Sequence, residues 1–393
     1  MDAQRVAATD AEARPGLRRR ILALIDRLAD GSRDDAARDA VLVDIARWQA
    51  TRVEPYRRLL AAAAPDPAAL PVAVEDPSGL PAVPTDVFRF ARVAAHPPAA
   101  DLRTFRTSGT TSGARGAASL SDLGLYDAAA RAWAAHMLFP DDEPLTLAIL
   151  APHEDEAPDS SLAYMLARFA EWFGAGDSAW VWSGGELWIP RLEQLLNAAE
   201  SSGRPLALLG TSFAFVHAED AFAERRWRLP AGSRLMQTGG YKGRSREIEA
   251  AEMRRLLSRR YGLGEPWIVA EYGMTELSSQ LYESTLRDAW LGRPVGPRRL
   301  LAPGWVRTAL VHGETLAEVP EGGEGLVRID DAANLDTAWA IQTSDRGRRV
   351  GEDGLEILGR AAGAVPRGCS LAAQEALGRS GLASAGASQE PSS

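Results

Sequence analysis

The sequence predicts an α/β protein, and three observations lead there. Between residues 103 and 273 short apolar runs alternate with helical stretches. A section dense in strand-forming runs follows, from about 303 to 358. At 46% hydrophobic and 25% charged residues, the 393-residue chain has ample material for a core. The alternation predicts a parallel or mixed sheet whose strand-end loops carry the chemistry.

In chain order, Leu17, Ile21, Leu22, Leu24, Ile25 and Leu28 recur at helical spacing within a helical region spanning 17–64, and a second helical segment runs from about Asp34 to Gln49. Asp76-Pro-Ser-Gly-Leu-Pro, with Pro81 and Pro84, interrupts this layer and leads into VFRFARV (87–93), read as extended. Buried strands are expected at LTLAILA (145–151), SAWVWSG (178–184), RPLALLGTSFAFV (204–216), SRLMQTGG (233–240) and EPWIVAEYG (265–273). Helices are expected at Asp122–Met137, Ser161–Phe173, Ile189–Glu200 and Arg246–Arg260. GWVRTALV, GEGLVRID, LDTAWAIQT and GLEILGR make up the β-rich section. The polar, small-residue stretch 378–393 is expected to be disordered. No internal repeat is present.

Composition excludes several functions. A net charge of −9 and a pI near 5.3, with arginines interspersed among acids, argue against a nucleic-acid surface. No run of 18 apolar residues exists, so no membrane span is expected. The N-terminus lacks an apolar signal core, and one cysteine allows no intrachain disulfide. These features point to a cytoplasmic protein.

Two residue types occur once each. Lys242 is the only lysine, in QTGGYKGRSRE (237–247), and Cys369 the only cysteine, in VPRGCSLAAQEAL (365–377). In so arginine-rich a chain, a surviving lysine suggests a site needing a compact ammonium. Cys369, beside Arg367, is a candidate nucleophile. FRTSGTTSGARG (105–116) is a strand entering a Gly/Ser/Thr loop. Its Gly109, Gly113 and Gly116 permit close approach, Thr107, Ser108, Thr110, Thr111 and Ser112 offer hydroxyls, and Arg115 adds a charge. Such a loop suits a polyphosphate, although the spacing is not that of a P-loop. In EYGMTE (271–276), Tyr272 can stack on a base, Thr275 can bond a phosphate oxygen and Glu276 can hold Mg²⁺. Asp345, in TSDRGRRVGEDGLEILGR (343–360), can accept both hydroxyls of a ribose.

Taken in this order, the motifs resemble the adenylate-forming enzyme superfamily of acyl-CoA synthetases and related ligases. The narrower resemblance is to the acyl-protein synthetase (LuxE) family. It rests on PAVPTDVFRF (81–90), APDSSLAYML (157–166), QTGGYKGRSRE (237–247), EYGMTELSSQLYE (271–283), AANLDTAWAIQTSDRG (332–347) and PRGCSL (366–371). The resemblance implies an acyl-CoA synthetase-like large N-terminal domain with a strongly truncated C-terminal segment. On that reading, residues 1–102 form a helical layer and lead-in of the large domain, and 103–345 the adenylation core with its β-rich subdomain. Residues 346–377 are then the truncated segment with Cys369.

It further implies that ATP and Mg²⁺ are used to activate a carboxylic acid, by default a fatty acid. The 107–116 loop would hold the β- and γ-phosphates, and Gly239 and Gly240 would flank the adenine against Tyr272 and Gly273. Thr275 would meet the α-phosphate, Glu276 the metal, Asp345 the ribose, and Arg360 the ribose or phosphate. Cys369 would carry the acyl group as a thioester for a reductase partner, in a homo- or hetero-oligomer or alone. A CoA ligase of the phenylacetate type, an enzyme loading a carrier protein, and a nucleotide-binding scaffold are the rival readings.

Many superfamily members continue into a further domain whose lysine assists adenylation. Here 33 residues follow Arg360 and none is lysine. Lys242, Arg115 or both are the candidates to replace that cation.

Overall fold

The computed structural model describes residues 2–63, 76–108, 114–239, 248–320, 322–361 and 372, with side chains from residue 13 onward. Helix α1 (Asp2–Arg27) buries Leu17, Ile21, Leu24 and Ile25 on one stripe. Helix α2 (Asp35–Gln49) starts where Asp34 accepts the amide of Ala37, an N-cap that satisfies an otherwise unpaired first-turn donor. Helix α3 (Glu54–Ala63) completes this layer.

The expected extended segment at 87–93 is not extended. A short strand β1 (Val83–Pro84) leads into a 3₁₀ turn, Thr85–Arg89, that turns Val87 and Phe88 into the core. Phe90 and Ala91 donate their amides to the Val87 carbonyl, so two adjacent apolar side chains are buried without a strand partner.

Strands β2 (Arg103–Arg106) and β3 (Ala117–Leu120) pair antiparallel across the Gly/Ser/Thr loop. Helix α4 (Gly124–Met137), β4 (Thr146–Leu150), α5 (Ser161–Phe173) and β5 (Ala179–Trp180) follow. The run read as one strand at 178–184 divides. Strand β6 (Trp182–Ser183) leaves the main sheet to pair with β7 (Glu186–Leu187) through Gly184 and Gly185, whose φ values of +61° and +86° suit a two-residue hairpin.

Helix α6 (Ile189–Ser202) precedes β8 (Leu206–Thr211). The run read as a strand to 216 changes at Thr211, whose hydroxyl accepts the Ala214 amide and starts α7 (Ser212–Phe222). A short apolar run has no period of its own to separate strand from helix. The cap decides it. Strand β9 (Arg234–Thr238), helix α8 (Ala250–Tyr261), β10 (Ile268–Tyr272), β11 (Leu281–Glu283) and helix α9 (Thr285–Trp290) come next. The β-rich section then supplies β12 (Leu300–Leu301), β13 (Val306–Val311), β14 (Glu324–Asp331), β15 (Ala340–Val350) and β16 (Gly354–Arg360).

Among the described residues, twelve strands share one mixed sheet, in the order β13-β14-β15-β16-β12-β11-β10-β9-β8-β4-β5, with β1 added on β15. Along this order, neighbours from β5 to β10 are parallel and those from β10 to β13 antiparallel, while the added β1 runs parallel to β15. Successive residues of the parallel strands enter different cores. Ala207, Leu209, Met236 and Val269 join the larger core, whereas Leu206, Leu208, Leu235 and Ile268 join one shared with α6, α7 and α8. Burial on both faces is why these strands read as continuous apolar runs.

Candidate active site

The site forms where parallel pairing gives way to antiparallel. Strand β10 ends at Tyr272, and residues 273–280 turn back into β11. On the antiparallel side, Asp345 and Arg360 are register partners of β15 and β16. The Tyr272 hydroxyl donates to Asp345 Oδ2 at 2.8 Å, and Arg360 Nε stands 3.5 Å from Asp345 Oδ1. Burial and the nearby Asp345 carboxylate hold the Tyr272 phenol well above its usual range, so it remains a donor. Asp345 is only 15% exposed while Arg360 is 81% exposed, leaving a shielded carboxylate beside a solvent-exposed cation. Three residues far apart in sequence are thus brought together.

The neck of the Gly/Ser/Thr loop lies close by. Thr107 and Gly116 are joined by two hydrogen bonds, amide to carbonyl and amide to hydroxyl, each 2.9 Å. A Cβ placed on Gly116 would stand 3.1 Å from Thr107 Cγ2 and 3.5 Å from Glu276 Oε1. The Glu276 carboxyl therefore sits at the loop's neck. Arg115 donates to the carbonyls of Thr107 (2.6 Å) and Arg106 (3.2 Å) and to Asp159 (2.6 Å), so it braces the neck against the turn before α5. Any charge it lends a bound phosphate is shared with Asp159. Arg89 adds a bond to the Ala114 carbonyl at 3.0 Å. Ser108 ends the described part of the first arm, and Gly109, Thr110, Thr111, Ser112 and Gly113 lie outside the described residues.

Glu276 is 5% exposed and forms no ion pair with a described residue. Burial pushes its carboxyl up to about 7, with Asp86 and Asp345 adding to the rise and Arg360 opposing it. A buried carboxyl with no ion-pair partner among the described residues, at the neck of a phosphate-type loop, fits one ligand position of a divalent metal. The described residues contain no group of three or more acidic, His or Cys ligands. A metal here would take most of its ligands from phosphate and water, as Mg²⁺ commonly does.

Gly239 follows β9 at φ +73°, a left-handed conformation, and its carbonyl accepts the Ser212 hydroxyl at 2.9 Å. Thr275 is half-buried in the turn, and Gly273 is exposed. Gly240, Lys242 and Cys369 lie outside the described residues.

Two groups escaped the sequence reading. Glu271, the last residue but one of β10, faces opposite to Tyr272 and accepts a hydrogen bond from Thr238, its register partner on β9. Burial pushes its carboxyl up to about 7. A Cβ on Gly273 would collide with Glu271 Oε1, so this position must be glycine while Glu271 keeps its place. An acid at a strand end reads in sequence as solvated; only the paired register with a threonine betrays it. The second missed group is Asn334, Asp331 and Gln49, taken up below.

Glu271 gives a prediction with a fixed sign. Its folded pKa of about 7 lies above the ordinary 4.5, so the folded state holds the proton more tightly. Its contribution is most favourable below the ordinary value and is lost as pH rises through about 7. Glu271→Gln should therefore stabilise the fold at pH 8, on the order of 2–3 kcal/mol, with the gain shrinking toward pH 5. Urea unfolding at the two pH values measures it; a pH-independent difference would count against the buried acid.

A family model described as acyl-protein synthetase, LuxE, matches residues 28–378. The chain belongs to the LuxE acyl-protein synthetase family. No curated protein matches it in sequence. Among solved structures, an open conformation of 2-hydroxyisobutyryl-CoA ligase in complex with 2-HIB-AMP and CoA aligns with a TM-score of 0.57 and 14% identity, covering 83% of this chain and 75% of that one. The same ligase in its postadenylation state, with 2-HIB-AMP, aligns with a TM-score of 0.58 and 15% identity, covering 83% and 67%. These likenesses show that this LuxE-family chain has the fold of the adenylate-forming ligases and is shorter than that ligase. Among the described residues, no helix is long and apolar enough to cross a membrane.

Proposed function

We propose that the protein activates a carboxylic acid with ATP to an acyl-adenylate, and then takes the acyl group onto Cys369 as a thioester. The observation that carries the first step is the convergence of Tyr272, Asp345 and Arg360 with Glu276 at the neck of the 107–116 loop. Asp345 accepts from the ribose hydroxyls in place of Tyr272, whose ring then lies against the adenine. Gly239 and Gly240 flank that ring, Gly273 lets the turn pass close, and Thr275 meets the α-phosphate. The loop amides and hydroxyls from Thr107 to Gly113 hold the β- and γ-phosphates. A Mg²⁺ ion on Glu276 would neutralise charge on the phosphoryl oxygens.

The acid's carboxylate oxygen attacks the α-phosphorus, the bond to the β-phosphate oxygen breaks, and pyrophosphate leaves. This is positioning and charge neutralisation more than covalent chemistry. Arg360, Arg115 and Lys242 are the cations available to it. The Cys369 thiolate then attacks the acyl carbonyl and AMP leaves. Membership of the LuxE family supports the acyl-enzyme and its delivery to a reductase partner. A fatty acid is the family's default substrate, and a cytoplasmic setting accords with the composition.

The test is incubation of the protein with ATP, Mg²⁺ and a panel of short, long-chain and aromatic acids. Pyrophosphate release and intact mass are followed, the latter before and after neutral hydroxylamine. A labile adduct names the acid and supports the whole sequence of steps. Pyrophosphate release with turnover only when CoA or a carrier protein is added would replace Cys369 by that acceptor. Absence of pyrophosphate with every acid would remove the ligase reading.

A further inference from the structure

The segment AANLD within 332–347 carries part of the family resemblance, yet none of its side chains meets a nucleotide in the reading above. The structure gives it another task. Asn334, 1% exposed, donates from Nδ2 to the Glu276 carbonyl at 2.9 Å and to the Ala338 carbonyl at 3.0 Å. Its Oδ1 accepts the Ser278 amide at 2.8 Å. The amide orientation is therefore unambiguous: two carbonyls face the NH₂ and one N–H faces the oxygen.

The surroundings hold Asn334 in turn. Gln49 of α2, fully buried, donates to the carbonyls of Asn334 (2.8 Å) and Leu335 (3.0 Å) and accepts the Trp339 amide (3.0 Å). Asp331, also fully buried, accepts the amides of Ser279 (2.8 Å), Ser278 (3.2 Å) and Ala333 (2.9 Å) and the Ser279 hydroxyl (2.8 Å). Trp305 donates to that same hydroxyl at 3.0 Å. The turn bearing Glu276 is thus gripped by buried polar side chains from β14 and the loop after it, themselves fixed to α2.

We propose that Asn334 is the positioning residue for Glu276, holding its main chain so that the carboxylate meets the metal–nucleotide at the loop neck. The inference rests on the proposed role of Glu276. Asn334 touches neither nucleotide nor metal. It acts through the Glu276 carbonyl, and groups that orient a metal ligand from behind typically change metal affinity by about 10- to 100-fold when removed.

The experiment compares Asn334→Ala, Asn334→Ser and a destabilising control remote from the site, Leu257→Ala in the core shared with α8. Mn²⁺ binding in the presence of a non-hydrolysable ATP analogue is read by electron paramagnetic resonance, alongside thermal unfolding. Asn334→Ala should bind Mn²⁺ about 10- to 100-fold more weakly, with metal-free nucleotide affinity nearly unchanged. Asn334→Ser, which keeps one donor for the carbonyl, should fall between. Leu257→Ala should lose stability without a shift in metal affinity. Equal Mn²⁺ affinity in the wild type and both Asn334 variants would overturn the positioning role while leaving Glu276 as a ligand. If instead the wild type binds no Mn²⁺–nucleotide, or Glu276→Gln binds it as well as wild type, the metal reading of Glu276 falls and this inference with it.

Discussion

A Cys369→Ser variant should release pyrophosphate from ATP and acid in a first turnover at close to the wild-type rate, yet carry no hydroxylamine-labile acyl group. The groups assigned to adenylation, Thr107, Tyr272, Glu276, Asp345 and Arg360, are held on β15, β16 and the segments next to β2 and β10 by contacts among the described residues. The transfer step needs a strong nucleophile, and a thiol is a few per cent thiolate near neutrality where a serine hydroxyl is not ionised. Cys369 is the only cysteine, so no second thiol can take its place. Ala372, three residues further along, is buried in the larger core. Intact mass with neutral hydroxylamine reads the result. A labile adduct persisting on the serine variant would move the acyl site elsewhere.

Glu276→Gln should lower Mg²⁺-dependent pyrophosphate release by about 100- to 1,000-fold, the loss typical of removing one preorganised charge-stabilising group. The same change should leave the free protein no less stable at pH 8. The Glu276 carboxyl, held near 7 by burial, opposes folding once ionised, and the amide carries no charge to bury. Activity and stability would move in opposite directions. Pyrophosphate assays over a Mg²⁺ series, paired with unfolding curves at pH 5 and 8, check both halves. Wild-type activity in Glu276→Gln would remove it from the site.

Much of this was legible in the sequence because its signals were local. The apolar runs at 145–151 and 265–273 hold strands, and helix α5 begins and ends where its periodicity placed it, Ser161–Phe173. Tyr272, Glu276, Asp345 and Arg360 stand in motifs legible in the sequence, and the fold brings them near one another. What escaped was contextual. Phe88 and Phe215 are apolar in runs that read as extended, but a 3₁₀ turn and a hydroxyl cap override a short run with no period. The charge of Arg115 is plain in the sequence, while its engagement with Asp159, 44 residues away, is legible in neither stretch. Glu271, Asp331, Asn334 and Gln49 are buried polar residues, and polarity alone predicts exposure. Their meaning lies in partners up to 290 positions distant.

The grip of Asp331 on the turn after Glu276 also bears on how the molecule comes apart. The amides of Ser278 and Ser279 end on a carboxylate sealed from water, so they can exchange with deuterium only when the junction between the two halves of the sheet opens. Their exchange should be as slow as that of the β9 and β10 strand amides, despite their place in a turn. The turn that carries Glu276 would then be among the last parts to open. Moderate heating should leave it intact, and its loss should coincide with separation of the parallel half of the sheet from the antiparallel one.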